Sequence, residues 1–263
     1  MTMLGRIETA VLRQGERGPR VLFSHCSLAH SGGWKPLLAE LGEVRAEALD
    51  LPGHGGTQAD PNRSPQRQAA DAVLDLLGDG PAHLVGHSFG GRVMLRSALD
   101  RPEAVASLTL IEPMMFHLLE TASDPLYAVE VAASQTYAGA LEGGDNAEAA
   151  RLFTALWGNG AKWEDTPERQ RRYAERLMPF ITASAEDVMR HPPHQITLDD
   201  IAGLPMPVTL IAGAATRPSA IAICRLIGER IGVEPYLVDG AGHMVPITHA
   251  AEVAEILKGF LAA

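Results

Sequence analysis

Residues 82–96, AHLVGHSFGGRVMLR, constrain this chain more than any other stretch. An apolar pair, Leu84-Val85, runs into Gly86-His87-Ser88-Phe89-Gly90-Gly91 and then into an apolar segment compatible with a helix. This is G-x-S-x-G between a strand and a helix, a setting that holds the serine on a tight, strained turn with its hydroxyl exposed. Backbone N–H groups at the start of the helix point at any anion that forms there. Gly86 and Gly90 let neighbouring backbone pass close to the turn, and Gly91 lets the helix approach the sheet. A glycine-rich turn whose serine merely caps a helix shares the same letters. The chemistry must therefore be sought in partners elsewhere in the chain.

Around this unit, strands and helices alternate. Residues 6–12 read as a first strand, and 21–24 as a short buried strand ending in His25-Cys26-Ser27. Residues 34–41 read as a helix, and 44–49 as a strand that ends at Asp50-Leu51-Pro52-Gly53-His54-Gly55-Gly56-Thr57. Helical apolar spacing marks 66–77 (Ala69, Ala70, Val73, Leu74, Leu77), and 105–111 is a strand closed by Glu112-Pro113. This order predicts an α/β fold: a doubly wound, mostly parallel sheet with helices on both faces. Ligands bind such sheets at the carboxyl ends of the strands, where His25, Asp50, Ser88 and Glu112 all fall.

The rhythm breaks over residues 114–190. Helical segments at 125–139, 145–157, 167–178 and 184–190 follow one another there without a strand. The expected organisation is a helical cap, 114–190, inserted into a core domain made of 1–113 and 191–263. The cap's large apolar residues divide between its own core and a substrate pocket. Met114, Met115 and Phe116 follow a strand end directly and have the best claim to the pocket; Phe153, Trp157, Met244, His30 and Trp34 are assigned to it as well. The sheet pattern resumes with a strand at 206–212, a helix at 218–230 and a strand at 233–238. A glycine-rich turn carrying His243 and a closing helix at 250–261 complete it.

With 263 residues, 46% of them apolar and 21% charged, the chain can bury a full core. A net charge of −10 argues against nucleic acid or an anionic membrane as partner. No run of eighteen apolar residues offers a membrane span, and the first twenty residues lack the pattern of a secretory signal. Cys26 and Cys224 form no metal-spacing motif and read as free thiols in a reducing cytoplasm. The expectation is a cytoplasmic protein that acts on a small molecule without metal or other cofactor, with a homodimer left open.

A serine hydroxyl is a poor nucleophile until a base takes its proton, and the base needs an orienting acid. His243, in DGAGHMVPITH, lies between the last strand and the last helix, where its loop can reach back to Ser88. His25 and His54 sit in shorter, tighter loops and read as structural hydrogen-bonders. The acid is expected after the strand at 206–212, yet Gly213-Ala214-Ala215-Thr216-Arg217-Pro218 contains no carboxylate. Glu112 ends an apolar strand, where a charge needs a reason, and is the preferred acid; Asp239 and Asp50 are the alternatives. The oxyanion donors are expected to be the backbone N–H groups of Phe89 and Ser27.

With these residues in place, the chain resembles the α/β-hydrolase superfamily over essentially its whole length. Within it, the likeness is to cap-bearing serine esterases and carbon–carbon bond hydrolases. Gly86–Gly90 matches the nucleophile elbow. His25-Cys26-Ser27 matches the oxyanion loop, with Cys26 where glycine is usual. Asp50–Gly55 and Gly242-His243 match two further family loops. Thr216 stands where the family usually has aspartate, so the acid resembles that of haloalkane dehalogenases, which carry it one strand earlier. Their nucleophile, and that of the related epoxide hydrolases, is aspartate, and Ser88 points away from both chemistries. The resemblance implies a serine hydrolase with a Ser88–His243–Glu112 triad and an acyl-enzyme, acting on a small to medium, largely apolar ester. Lactonase, thioesterase or carbon–carbon bond hydrolase activity stands as the alternative. A cofactor-free lyase and a non-catalytic small-molecule receptor on the same fold rank below these.

Overall fold

β-Branched and leucine-rich runs separated by Gly, Pro and Asp loops give the core its strands, and their register lines up one functional edge. The structure, a computed structural model, describes residues 1–189 and 195–261. β1 (Thr2–Leu4) and β2 (Ile7–Thr9) pair antiparallel as a separate small hairpin. Gly5 and Arg6 between them both have positive φ, the backbone that a two-residue hairpin turn demands. The strand expected at 6–12 is thus two strands in different sheets. The chain leaves β2 at Ala10, whose N–H donates to Thr57 Oγ1 and whose carbonyl accepts from Asp50 N. It then enters the main sheet as β3 (Val11–Gln14).

Next along the chain are β4 (Arg20–Ser24), α1 (Lys35–Leu41), β5 (Arg45–Leu49), α2 (Pro65–Leu77), β6 (Ala82–His87), α3 (Phe89–Asp100) and β7 (Val105–Ile111). Four helices follow: α4 (Phe116–Thr121), α5 (Leu126–Glu142), α6 (Asn146–Trp157) and α7 (Glu168–Met189). The core closes with α8 (Leu198–Ala202), β8 (Val208–Gly213), α9 (Pro218–Ile231), β9 (Tyr236–Val238), α10 (Val245–Thr248) and α11 (Ala250–Leu261). The main sheet has seven strands in the order β3-β5-β4-β6-β7-β8-β9, all parallel except β3 against β5. Ser24 pairs with Gly86, His87 with Ile111, and Ile111 with Ile211. The loops that follow β4, β6, β7 and β8 therefore leave from neighbouring points.

Alternation along the strands builds two cores. Leu22, Leu84, Leu108 and Leu210 face α2, α3 and α9, whereas Val21, Val85, Ile111 and Ile211 face α1 and α11. Every residue of β6 is buried, as a central parallel strand covered on both faces requires. Each such aliphatic side chain contributes roughly 1.5–3 kcal/mol by leaving water.

Several expected boundaries move. β8 starts at Val208 and β9 at Tyr236, each just past a proline that cannot donate to a ladder (Pro207, Pro235). The helices expected at 167–178 and 184–190 are one helix, α7, running through Pro179. Its buried stripe, Ala174, Leu177, Met178, Ile181 and Ser184, keeps helical spacing across the proline, and Pro179 itself faces solvent, where water can satisfy the freed carbonyl. Residue 190, the cap boundary at 190/191 and the last two core residues, 262–263, lie outside the described residues. α8, unforeseen in the sequence, begins with a capping box between Thr197 and Asp200.

Candidate active site

Ser88 sits between β6 and α3 with φ 59° and ψ −120°, a conformation that costs of order 1–3 kcal/mol for a residue with a Cβ. Its surroundings hold it there. Ser88 N donates to Ile111 O at 2.8 Å, and Ser88 O accepts from Gly91 N at 3.0 Å and Met114 N at 3.2 Å. The turn tolerates no side chain beside it. A Cβ on Gly86 would lie 2.4 Å from Gly90 O, and one on Gly90 would lie 2.2 Å from Ser24 O.

His243 comes from the loop between β9 and α10. Its Nε2 is 3.1 Å from Ser88 Oγ, and its Nδ1 is 2.6 Å from Glu112 Oε2. A carboxylate only accepts, so the proton sits on Nδ1 and the Nε2 lone pair faces the serine hydroxyl. Glu112 is fully buried and has φ 44°, a turn that swings its side chain across the end of β8. There Oε1 accepts from Gly213 N at 2.8 Å, and Oε2 also accepts from Thr216 Oγ1 at 2.9 Å. Thr216, at the position where an acid was sought, serves the acid as a donor. Beneath His243, His87 Nε2–H donates to His243 O at 2.9 Å; burial pushes the His87 imidazole well below its ordinary pKa and keeps it neutral. Of the alternative acids, Asp239 is exposed on its turn, and Asp50 accepts from Ser31 N and Gly56 N.

Phe89 N opens α3, so it has no partner within the helix. Ser27 follows β4 and lines the same cavity as Ser88 and Phe89. Two buried histidines brace this loop. His25 Nδ1–H donates to Cys26 O at 2.8 Å while its Nε2 accepts from Leu51 N at 3.0 Å. His54 Nε2 accepts from Leu28 N at 3.1 Å. Burial lowers His25 to about 4 and His54 to about 3, so both work as neutral hydrogen-bonders. The cap adds its own ties. Tyr173 of α7 donates to Ala29 O at 2.7 Å and accepts from Gly55 N, while Phe180 packs edge-on against both His54 and Phe89.

Ser88 opens into a cavity of about 160 Å³ beneath the cap. Met114, Phe116, Phe153, Trp157 and Met244 line it, as do Cys26, Ser27, Phe89 and His243. Three residues assigned to the pocket lie elsewhere. Met115 is fully buried in the sheet core and, unlike Met114 and Phe116 on either side, does not line the cavity. Trp34 packs on Phe23 at 5.1 Å beneath the sheet edge. His30 caps the short turn at Ser31–Trp34 through Gly32 N and faces an outer groove beside Tyr173. Tyr137 and Leu141 of α5 and Ile181 and Val188 of α7 add to the wall. Only their helical spacing marked them in the sequence, and that spacing does not separate a cavity face from a core face. A second chamber, of about 390 Å³, shares Ser27, Phe153, Trp157 and Met244 with the first and carries Asn159, Asp165 and Gln170. Among the described residues, no three His, Cys, Asp or Glu side chains converge to hold a metal, and no helix is long and apolar enough to cross a membrane.

Comparison with known proteins agrees with this geometry. The sequence profile of the alpha/beta hydrolase family matches residues 21–256. The chain is similar to the lipase LipV of Mycobacterium tuberculosis, with 30% identity covering 97% of this chain and 98% of the lipase. It is also similar to a pimeloyl-(acyl-carrier protein) methyl ester esterase of Methylococcus capsulatus, with 31% identity over 94% and 96% of the two chains. Among solved structures, the enol-lactonase of Burkholderia xenovorans shares the fold with a TM-score of 0.76 at 18% identity, covering 100% of this chain and 99% of that one.

Proposed function

The chain belongs to the alpha/beta hydrolase family, and on that premise we propose that it hydrolyses small to medium carboxylic esters with an apolar acyl group, using Ser88, His243 and Glu112. The observation that carries this reading is the unbroken hydrogen-bonded line from Glu112 through His243 to Ser88 Oγ, opening on an apolar cavity. His243 takes the Ser88 proton as Oγ attacks the ester carbonyl. The Ser27 and Phe89 N–H groups receive the oxyanion, and Glu112 holds the imidazolium. His243 then protonates the leaving alcohol, and water frees the acyl-enzyme by the same steps in reverse. The acyl chain fits the apolar cavity beneath the cap and the alcohol the second, more polar chamber. An acid carried one strand before the usual position, as haloalkane dehalogenases carry theirs, gives the same line-up here.

Two relatives that match over nearly the whole of both chains are named lipase and methyl ester esterase, which supports an ester as substrate. Among the described residues no Lys or Arg lines the cavity, which disfavours the acidic substrates of carbon–carbon bond hydrolases. Both cysteines are free and buried, in keeping with the cytoplasm, which we take as the compartment.

The test is turnover of p-nitrophenyl butyrate together with covalent labelling by a fluorophosphonate. The wild type should do both; Ser88→Ala should lose labelling and about 10⁵–10⁶ in kcat while remaining folded. A wild type that neither labels nor turns over esters would overturn the reading and favour a receptor.

A further inference from the structure

We propose that Arg217 is a positioning residue for the catalytic histidine, acting through Trp157; this rests on the reading of His243 as general base. The loop after β8 reaches two carboxylates. Thr216 turns inward to Glu112, and Arg217, the next residue, turns towards the cap. Arg217 Nε and Nη2 donate to Glu130 Oε1 at 3.0 and 2.7 Å, and Ser219 Oγ donates to the same oxygen at 2.7 Å. Glu130 lies on α5 and is only 4% exposed, so this pair fixes the guanidinium far more firmly than a surface pair would.

The fixed guanidinium lies over the ring of Trp157, with Cζ 5.0 Å from the ring centre. Arginine suits this place, because its flat, delocalised cation stacks on an indole while its N–H fork holds a carboxylate. Trp157 in turn meets the His243 ring at 4.9 Å and 70°. It is the last residue of α6, and it also meets the ring of Phe116 at 5.9 Å. Although only 6% exposed, Trp157 borders two cavities, of about 160 and 390 Å³, and Arg217 and His243 line a third of about 320 Å³ beside its helix end. Without Arg217 the indole has room to turn, and His243 loses the wall that keeps Nε2 on Ser88. Geometry at that atom matters, since displacements of about 1 Å can cost 10²-fold in rate.

The experiment is a double-mutant cycle on p-nitrophenyl acetate, whose acyl group barely enters the cavity, and on p-nitrophenyl octanoate. Arg217→Ala should lower kcat about tenfold on both esters with KM for the acetate unchanged, and Arg217→Lys should recover little. In a Trp157→Ala background, Arg217→Ala should have no further effect on kcat, because the two act in series. The pair Arg217→Met with Glu130→Gln removes the ion pair without stranding a buried carboxylate. It should reproduce the kcat loss even if Arg217→Ala fails to fold. Additive losses, or a change confined to melting temperature or to KM for the octanoate, would overturn the proposal. Fluorophosphonate titration separates the two readings. A labelled wild type with undiminished kcat in these variants overturns the role of Arg217 alone, and an unlabelled, inactive wild type overturns both.

Discussion

The loops that leave β7 and β8 stand side by side at the carboxyl edge of the sheet and hold opposite chemistry. The first begins with Glu112, a buried carboxylate that only accepts; the second, with the strand end before it, offers donors, Gly213 N, Thr216 Oγ1 and the Arg217 guanidinium. Adjacent strands are about 4.8 Å apart, so a glutamate that turns sideways through a positive φ can place its oxygen where a carboxylate from the next strand would lie. What the site requires is a carboxylate oxygen at His243 Nδ1 and donors that keep it there. It does not require that both come from one loop.

The strongest way to break this contrast is Glu112→Gln. An amide can present N–H to His243 Nδ1 and favour the wrong tautomer, and such a change in a serine triad costs about 10⁴ in kcat. The expected result is a loss of that order with the melting temperature nearly kept. Activity within tenfold of wild type would move the acid to Asp239 or Asp50.

The opposite side of Ser88 sharpens the contrast by its dependence on pH. His25 at about 4 and His54 at about 3 are neutral when folded but titrate near 6.5 when unfolded. Between those limits the unfolded chain binds more protons, so stability is full above pH 6.5 and falls as the pH drops. At pH 5 the two together cost about 4 kcal/mol. Melting temperatures measured from pH 7.5 to 5 should fall steadily, and His54→Gln should flatten the slope. An equal slope in that variant would show that His54 is not the group being titrated.

The sequence made these catalytic elements legible because each lies at a strand end, where the fold leaves little choice of place. Ser88 follows β6, Glu112 follows β7 and His243 follows β9. The cap was less legible, for reasons of geometry. Met114, Met115 and Phe116 all join the buried core, and only Met114 and Phe116 also border the cavity, a split their sequence does not reveal. The helix expected to end at 178 continues, because packing of Leu177, Met178 and Ile181 carries α7 through Pro179. Tyr137, Leu141 and Val188 line the cavity from helix faces that look, in sequence, like any buried stripe.

The smallest expected effect tests the donor side of the contrast. Thr216→Val keeps the shape of the side chain and removes one O–H donor to Glu112 Oε2, leaving Gly213 N on Oε1 and His243 on Oε2. A hydrogen bond to a charged group contributes about 1.5–3 kcal/mol, and part of that is recovered when the carboxylate settles on its remaining donors. A loss of about tenfold in kcat corresponds to about 1.4 kcal/mol, with KM and fluorophosphonate stoichiometry unchanged. If Thr216 is instead a mere relic of a vacated acid position, kcat will not move. The contrast between the two loops then reduces to Glu112 held by backbone alone.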